Sequence, residues 1–152
     1  MKLNVWYLYT LVNQITKTMK VKIDTKEKFH VITLIEPFLS ANLAADLSAL
    51  VTKYLEQEIK NVVLKLPTVQ MVDDKAAEEL SRLQQKFYEN NASFVICEIH
   101  PDLEKKLDEL ELLEIMNITP TESEAWDILQ MEEIERELLD NTDNGEFPAK
   151  NA

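Results

Sequence analysis

The chain reads as an α/β fold: a mixed four- to five-stranded sheet with about four helices and an N-terminal β-hairpin. Three observations predict it. Short β-branched apolar runs alternate with longer stretches of helical period. The first two runs are separated only by the polar turn Thr25-Lys26-Glu27-Lys28, which suits a hairpin, while later runs are separated by helices, which suits parallel crossovers. Asn61–Leu66 stops at Pro67, and Val69–Val72 then runs into Asp73-Asp74, where an amphipathic helix begins at once. In open α/β sheets such strand-to-helix junctions are where ligands and partners dock.

Element by element, Lys20–Asp24 places Val21 and Ile23 on one face of a first strand. Phe29–Leu34 is the second strand, ended by Pro37. Ser40–Ile59 is helical, with Leu43, Leu47, Leu50 and Tyr54 as its apolar stripe and Ser40 or Asn42 as cap. Val62–Leu66 is the third strand. A second helix runs from about Asp74 to Tyr88 on Ala76, Leu80, Leu83 and Phe87, and Asn90-Asn91 breaks it. Ser93–Ile99 is the fourth strand. Pro101 starts a shorter helix with Leu103, Leu107 and Leu110 inward. Leu113–Ile118 reads as a fifth, edge-type strand. Thr119 then caps a last helix, with Pro120 at its first position and Glu122 closing a capping box, running to about Leu139. The order is β-β-α-β-α-β-α-(β)-α.

The last helix has a flaw. Ala125, Ile128 and Leu129 share one face, but Met131, Ile134 and Leu138 drift round to another. The helix therefore outlives the domain it packs on. The candidates to meet Met131–Leu139 are residues 1–18, a partner, or a second copy in a homodimer; Glu132, Glu133, Glu135 and Glu137 equally suit an exposed acidic end. The boundaries expected are 1–18 as an N-terminal extension or misassigned start, 19–130 as the domain, 131–140 as the acidic helix extension and 141–152 as a disordered tail.

A chain of 152 residues suits one domain with a substantial core, and 45% hydrophobic with 29% charged residues is ordinary globular composition. A net charge of −12 argues against nucleic acid and against anionic membrane surfaces as partners. No apolar run approaches the length of a membrane span. Lys2 and the apolar residues after it faintly resemble a signal peptide, but Asn4, Asn13 and Gln14 interrupt the run and no small-residue cleavage site follows. The single cysteine, Cys97, lies in an apolar strand, which suits a buried thiol in a reduced, cytoplasmic protein. The one glycine, Gly145, lies in the tail, so no glycine-rich phosphate loop or nucleophile elbow exists.

Taken in order, several segments resemble a STAS domain, the family of bacterial anti-sigma factor antagonists, over Met19 to Gln130. They are Val31-Ile32-Thr33-Leu34 leading to Phe38-Leu39-Ser40, Asn61–Leu66, Met71–Ala77, Phe94–Ile99 with Pro101 and Leu107, and Glu124-Ala125 with Leu129. The resemblance implies regulation of transcription by partner switching. A typical member binds an anti-sigma factor that is also a serine kinase, and phosphorylation of a signature Ser or Thr breaks the complex. This sequence departs from the pattern at that signature. Asp73 matches the family's Asp, but Asp74 and Lys75 occupy the two hydroxyl positions and Ala76 the glycine. A turn position that is often Gly is Pro37, and an Asp that often follows is Ser40. The implied partner surface is Ser40, Asp73, Asp74, Lys75 and Ala76, with no phosphorylation site among them.

Asp73-Asp74 is not a convergent acid pair, since adjacent helical residues point about 100° apart and acidic residues simply favour a helix N-terminus. Lys75 sits against the helix dipole, as a solvated lysine or as a contact for an acidic partner. His30, His100 and Cys97 share no metal-ligand spacing, and Trp6 and Trp126 suit packing better than stacking platforms. No catalytic residue, metal or cofactor is expected. The function expected is a non-catalytic regulatory or adaptor protein. It would bind a protein partner, an anti-sigma factor or serine kinase-like protein, without a phosphorylation switch; the alternative is a small-ligand-binding module on the same fold.

Overall fold

The computed structural model describes residues 19–143, with side chains through residue 140. The expectations for residues 1–18, and for the tail from residue 144 on, lie outside the described residues.

Strands β1 (Val21–Thr25) and β2 (His30–Leu34) form the expected antiparallel hairpin, with Ile23 opposite Ile32. β2 then pairs in parallel with β4 (Val62–Lys65), β4 with β6 (Phe94–Cys97), and β6 with β7 (Ile118–Thr119). The sheet is thus five-stranded, in the order β1-β2-β4-β6-β7. Two further strands, β3 (Phe38–Leu39) and β5 (Met71–Val72), form a separate parallel ribbon. The helices are α1 (Ala41–Thr52), α2 (Asp74–Glu89), α3 (Pro101–Glu109) and α4 (Glu122–Asp143).

Side-chain alternation along the strands builds two cores. Ile32, Leu34, Val62, Leu64, Phe94 and Ile96 face α1, α2 and α3, where Leu47, Leu80, Phe87, Leu103 and Leu107 close over them. Val31, Val63, Val95 and Cys97 point the other way and are covered by Ala125 and Leu129 of α4, with Phe29 stacked on Trp126 at a centroid distance of 5.2 Å. Burial of both faces explains why the central strands read as unbroken apolar runs.

Three expectations are corrected. The first helix ends at Thr52 and tightens into a 3-10 turn, Lys53–Glu56. Thr52 Oγ1 bonds back to the Ser48 carbonyl at 2.8 Å, a competition that disturbs helix ends. Its fully buried residues are Ala44, Leu47 and Val51, with Leu43, Leu50 and Tyr54 only partly covered. The fifth strand is the two residues Ile118–Thr119, and residues 113–116 before it are turn and bend. The last helix starts at Glu122, where Thr121 Oγ1 accepts from the Glu124 N–H at 3.2 Å, so Thr121 takes the capping role expected of Thr119.

Candidate functional site

The β3–β5 ribbon sets the geometry. Its register, Phe38 opposite Met71 and Leu39 opposite Val72, delivers Ser40 and Asp73 side by side, each at the start of a helix. Ser40 caps its own helix: its hydroxyl accepts from the Leu43 N–H at 3.1 Å. Asp73 occupies the capping position of α2 in extended backbone, yet its carboxylate makes no bond to that helix. Asp73 Oδ2 instead accepts from the Ala41 N–H, at 3.0 Å, in the first turn of α1. The Asp73 N–H donates to the Leu39 carbonyl at 3.1 Å. Main chain and side chain of Asp73 therefore both brace α2 against β3 and α1, satisfying a donor that a helix start otherwise leaves unpaired.

Asp74 and Lys75 diverge from this brace. Asp74 Oδ1 meets Lys106 Nζ of α3 at 3.0 Å, and this exposed pair orients more than it stabilises. Lys75 is exposed on the wall of a groove between α1 and α2, which is lined also by Ala41, Ser48, Glu78, Glu79 and Arg82. Arg82 pairs with Glu78 and Glu79, while Lys75 makes no ion pair among the described residues. The two neighbouring acids thus serve two different helices and do not converge. Ala76 is a correction: it is wholly buried in the core under α1 and α2, and presents no side chain to a partner.

Two residues beside the site escaped sequence reasoning. Phe38 and Met71, the facing pair of the ribbon, are 42% and 64% exposed. Read along the chain they look like core, because two-residue strands are too short to reveal which face is wet. A second omission lies at the end of β4. Lys65 Nζ meets Glu122 Oε1 at 2.8 Å and Glu98 Oε2 at 3.1 Å, clamping the start of α4 to the sheet. The hydrogen bond that Lys65 donates to Glu122 leads in raising the Lys65 pKa, against the lowering effect of burial. Glu98 holds a left-handed backbone, φ 53°, which costs a non-glycine residue roughly 1–2 kcal/mol.

The remaining titratable candidates are structural. Burial above all, and then the nearby Glu98 charge, pushes the Cys97 thiol up to about 12, the opposite of what a nucleophile needs. His30 lies on the other face of the sheet. Its Nε2 is 2.9 Å from the Ile59 carbonyl, which only an N–H can serve, and its Nδ1 is 2.9 Å from Thr25 Oγ1. Its ring packs on Tyr54 at 4.0 Å. His100 Nδ1 accepts from the Asp102 N–H at 3.1 Å and caps α3. Among the described residues no group of three or more His, Cys, Asp or Glu side chains could hold a metal ion, and no helix is long and apolar enough to cross a membrane.

A STAS domain model matches residues 20–125, well over half of the chain. The chain belongs to the STAS domain family. This STAS chain is similar in fold to a putative anti-sigma factor antagonist from Thermotoga maritima, with 18% identity, a TM-score of 0.61, and coverage of 72% of this chain and 94% of that one. It is similar to an anti-sigma factor antagonist from Mycobacterium paratuberculosis at 12% identity and a TM-score of 0.63, covering 76% and 97% of the two chains. It is also similar to the Bacillus cell fate determinant SpoIIAA, solved in its phosphorylated form, at 14% identity and a TM-score of 0.54, covering 71% and 97%. No curated protein matches the chain in sequence. At these identities the solved structures share the STAS fold with this chain, and the junction from Met71–Val72 into α2 lies within the matched residues.

Proposed function

We propose that this STAS protein is a non-catalytic regulatory or adaptor protein that binds a protein partner at the paired starts of α1 and α2, with no serine phosphorylation switch. The partner is of the anti-sigma factor or serine kinase-like class, by analogy with the proteins that share the fold. The contact residues are Ser40, Asp73, Asp74 and Lys75, with Phe38 and Met71 as apolar anchors; Ala76 supports them from beneath. One observation carries the reading. A preorganised surface, braced by the Asp73 bond to Ala41, presents a cation, Lys75, that makes no ion pair among the described residues, and two exposed apolar side chains. Apolar anchors within a polar rim are the usual anatomy of a protein interface.

The absence of a switch is argued from chemistry. A phosphoryl group ester-linked to a side chain needs a hydroxyl oxygen, and the two signature positions hold a carboxylate and an ammonium. Ser40 retains a hydroxyl, but it is engaged with the Leu43 N–H and only partly accessible. The reading is tested by expressing the tagged chain in its own cells and measuring the intact mass of the purified protein. A single unphosphorylated species supports it; a phosphate on Ser40 or Ser81 contradicts the unswitched mode.

A further inference from the structure

Among the described residues the five-stranded sheet has two open edges, and they are not alike. β7 offers only Ile118–Thr119. β1 offers the five residues Val21–Thr25, all exposed except the half-buried Val21, with Ile23 at 42%. The ladder to β2 fixes which backbone groups β1 has already used. Lys26 N–H donates to the Phe29 carbonyl and Ile35 N–H to the Lys20 carbonyl, both at 2.8 Å, at the two ends of a register that pairs Val21 with Leu34 and Thr25 with His30. Inward and outward residues alternate along an antiparallel pair. Lys22 and Asp24 therefore bond inward to β2, while the N–H and C=O groups of Val21, Ile23 and Thr25 point out to the edge. Proline, a bulge or lysine commonly blunts such an edge. β1 has no proline and its register runs without a bulge; its one lysine, Lys22, stands two residues from Asp24.

We propose that β1 is an interface for a second copy of this chain, the two strands pairing antiparallel about a two-fold axis at Ile23. The strand's own sequence selects this occupant. Two-fold pairing sets Ile23 against Ile23 of the second copy and Val21 against Thr25, the positions whose backbone groups face outward, and so forms about six ladder hydrogen bonds. It also sets Lys22 against Asp24 on both sides of the axis, in the closer positions of the ladder, where opposite charges attract and like charges repel. Parallel pairing in register would set Lys22 against Lys22 and Asp24 against Asp24. In a chain of net charge −12, this strand holds one cation and one anion, so two copies of it meet without net repulsion along the ladder. Asp24 lies 3.1 Å from Lys26 in the single chain, but both side chains are exposed and such a pair is too weak to withhold the carboxylate. The contact is the same patch on both copies, so it closes at a dimer. A five-residue strand makes a small interface, which suits a weak, concentration-dependent dimer. It uses none of Phe38, Ser40, Met71, Asp73, Asp74 or Lys75, so the dimer carries the surface proposed above twice.

Sedimentation of the full chain from micromolar to millimolar concentration, with residue-resolved amide exchange by NMR, tests the contact. The expected result is a monomer–dimer equilibrium that weakens as salt is added. The Val21, Ile23 and Thr25 amides gain protection as the dimer fills, while the Lys22 and Asp24 amides are protected at every concentration. Lys22→Asp and Asp24→Lys each weaken the dimer by roughly tenfold, because each turns attractive cross-strand pairs into repulsive ones. The two substitutions together restore it, a rescue that damage to the fold would not produce. The proposal is overturned if the chain stays monomeric throughout. It is overturned if the three outward amides are protected independently of concentration, which would assign the edge to the chain's own residues. It is overturned equally if a dimer forms that the single substitutions leave unchanged or the double exchange fails to restore, which would place its interface elsewhere.

Discussion

Asp73 caps the neighbouring helix and not its own: its carboxylate accepts from the Ala41 N–H at 3.0 Å, across 32 residues of sequence. A residue that looks like a local helix cap is thus a tie between two elements, and the tie places Ser40 next to the start of α2. Replacement by Ala leaves the Ala41 donor without its partner and should cost about 1 kcal/mol. Thermal unfolding checks the cost. Asp73→Asn, which keeps an acceptor oxygen, should recover most of the loss; equal losses in the two variants would show that charge, not the bond, matters there.

The Lys65 clamp predicts a coupling. Lys65 is partly buried and bonds Glu98 and Glu122 together. Lys65→Met leaves two carboxylates facing each other and should destabilise by about 2 kcal/mol. Adding Glu98→Gln and Glu122→Gln should restore part of it. Denaturant unfolding of the four combinations measures the coupling, and additive losses would mean the charges act independently.

Stability should fall at alkaline pH. The Cys97 thiol is raised from 9.0 to about 12, so the folded state holds a proton that the unfolded chain gives up earlier. Lys65 is raised from 10.5. Both shifts stabilise the fold fully below the unfolded pKa and lose that contribution as pH rises through the folded one. Urea midpoints should therefore be flat up to about pH 9 and drop beyond it. A Cys97→Ala variant should show a shallower drop, and in the native protein Cys97 should resist thiol reagents until the chain unfolds.

His30 should not tolerate loss of its ring donor. His30→Ala exposes the Ile59 carbonyl and a void beside Tyr54, with an expected cost of about 2–3 kcal/mol by chemical denaturation. A near-neutral result would show that water replaces the ring at both bonds.

Much of this was legible in the sequence because the large elements carry strong periodicity. Ala76, Leu80, Leu83 and Phe87 give α2 unambiguously, and the Val62–Leu66 and Phe94–Cys97 runs give the buried centre of the sheet. The hairpin followed from the length of its turn. The β3–β5 ribbon did not, because two residues of strand have no period, and the partner of each lies over thirty residues away. The same limit hid the exposure of Phe38 and Met71. The burial of Ala76 was not legible, since alanine suits core and surface alike. The role of Asp73 was half legible: its place at a helix start is local, whereas the helix it serves is set by the ribbon.

The central claim is that the ribbon and the two helix starts form one partner-binding surface. It is tested most directly by quantitative co-purification from the native cells. The unaltered full chain is compared with Met71→Asp and with Lys75→Glu, each first shown by circular dichroism and thermal unfolding to be folded as the parent. The account predicts a partner whose recovery falls on the order of tenfold or more in both variants, and whose purified form binds the parent chain in titration with the same ranking. Equal recovery of every co-purifying protein by all three chains would contradict it and move the binding surface elsewhere on the domain.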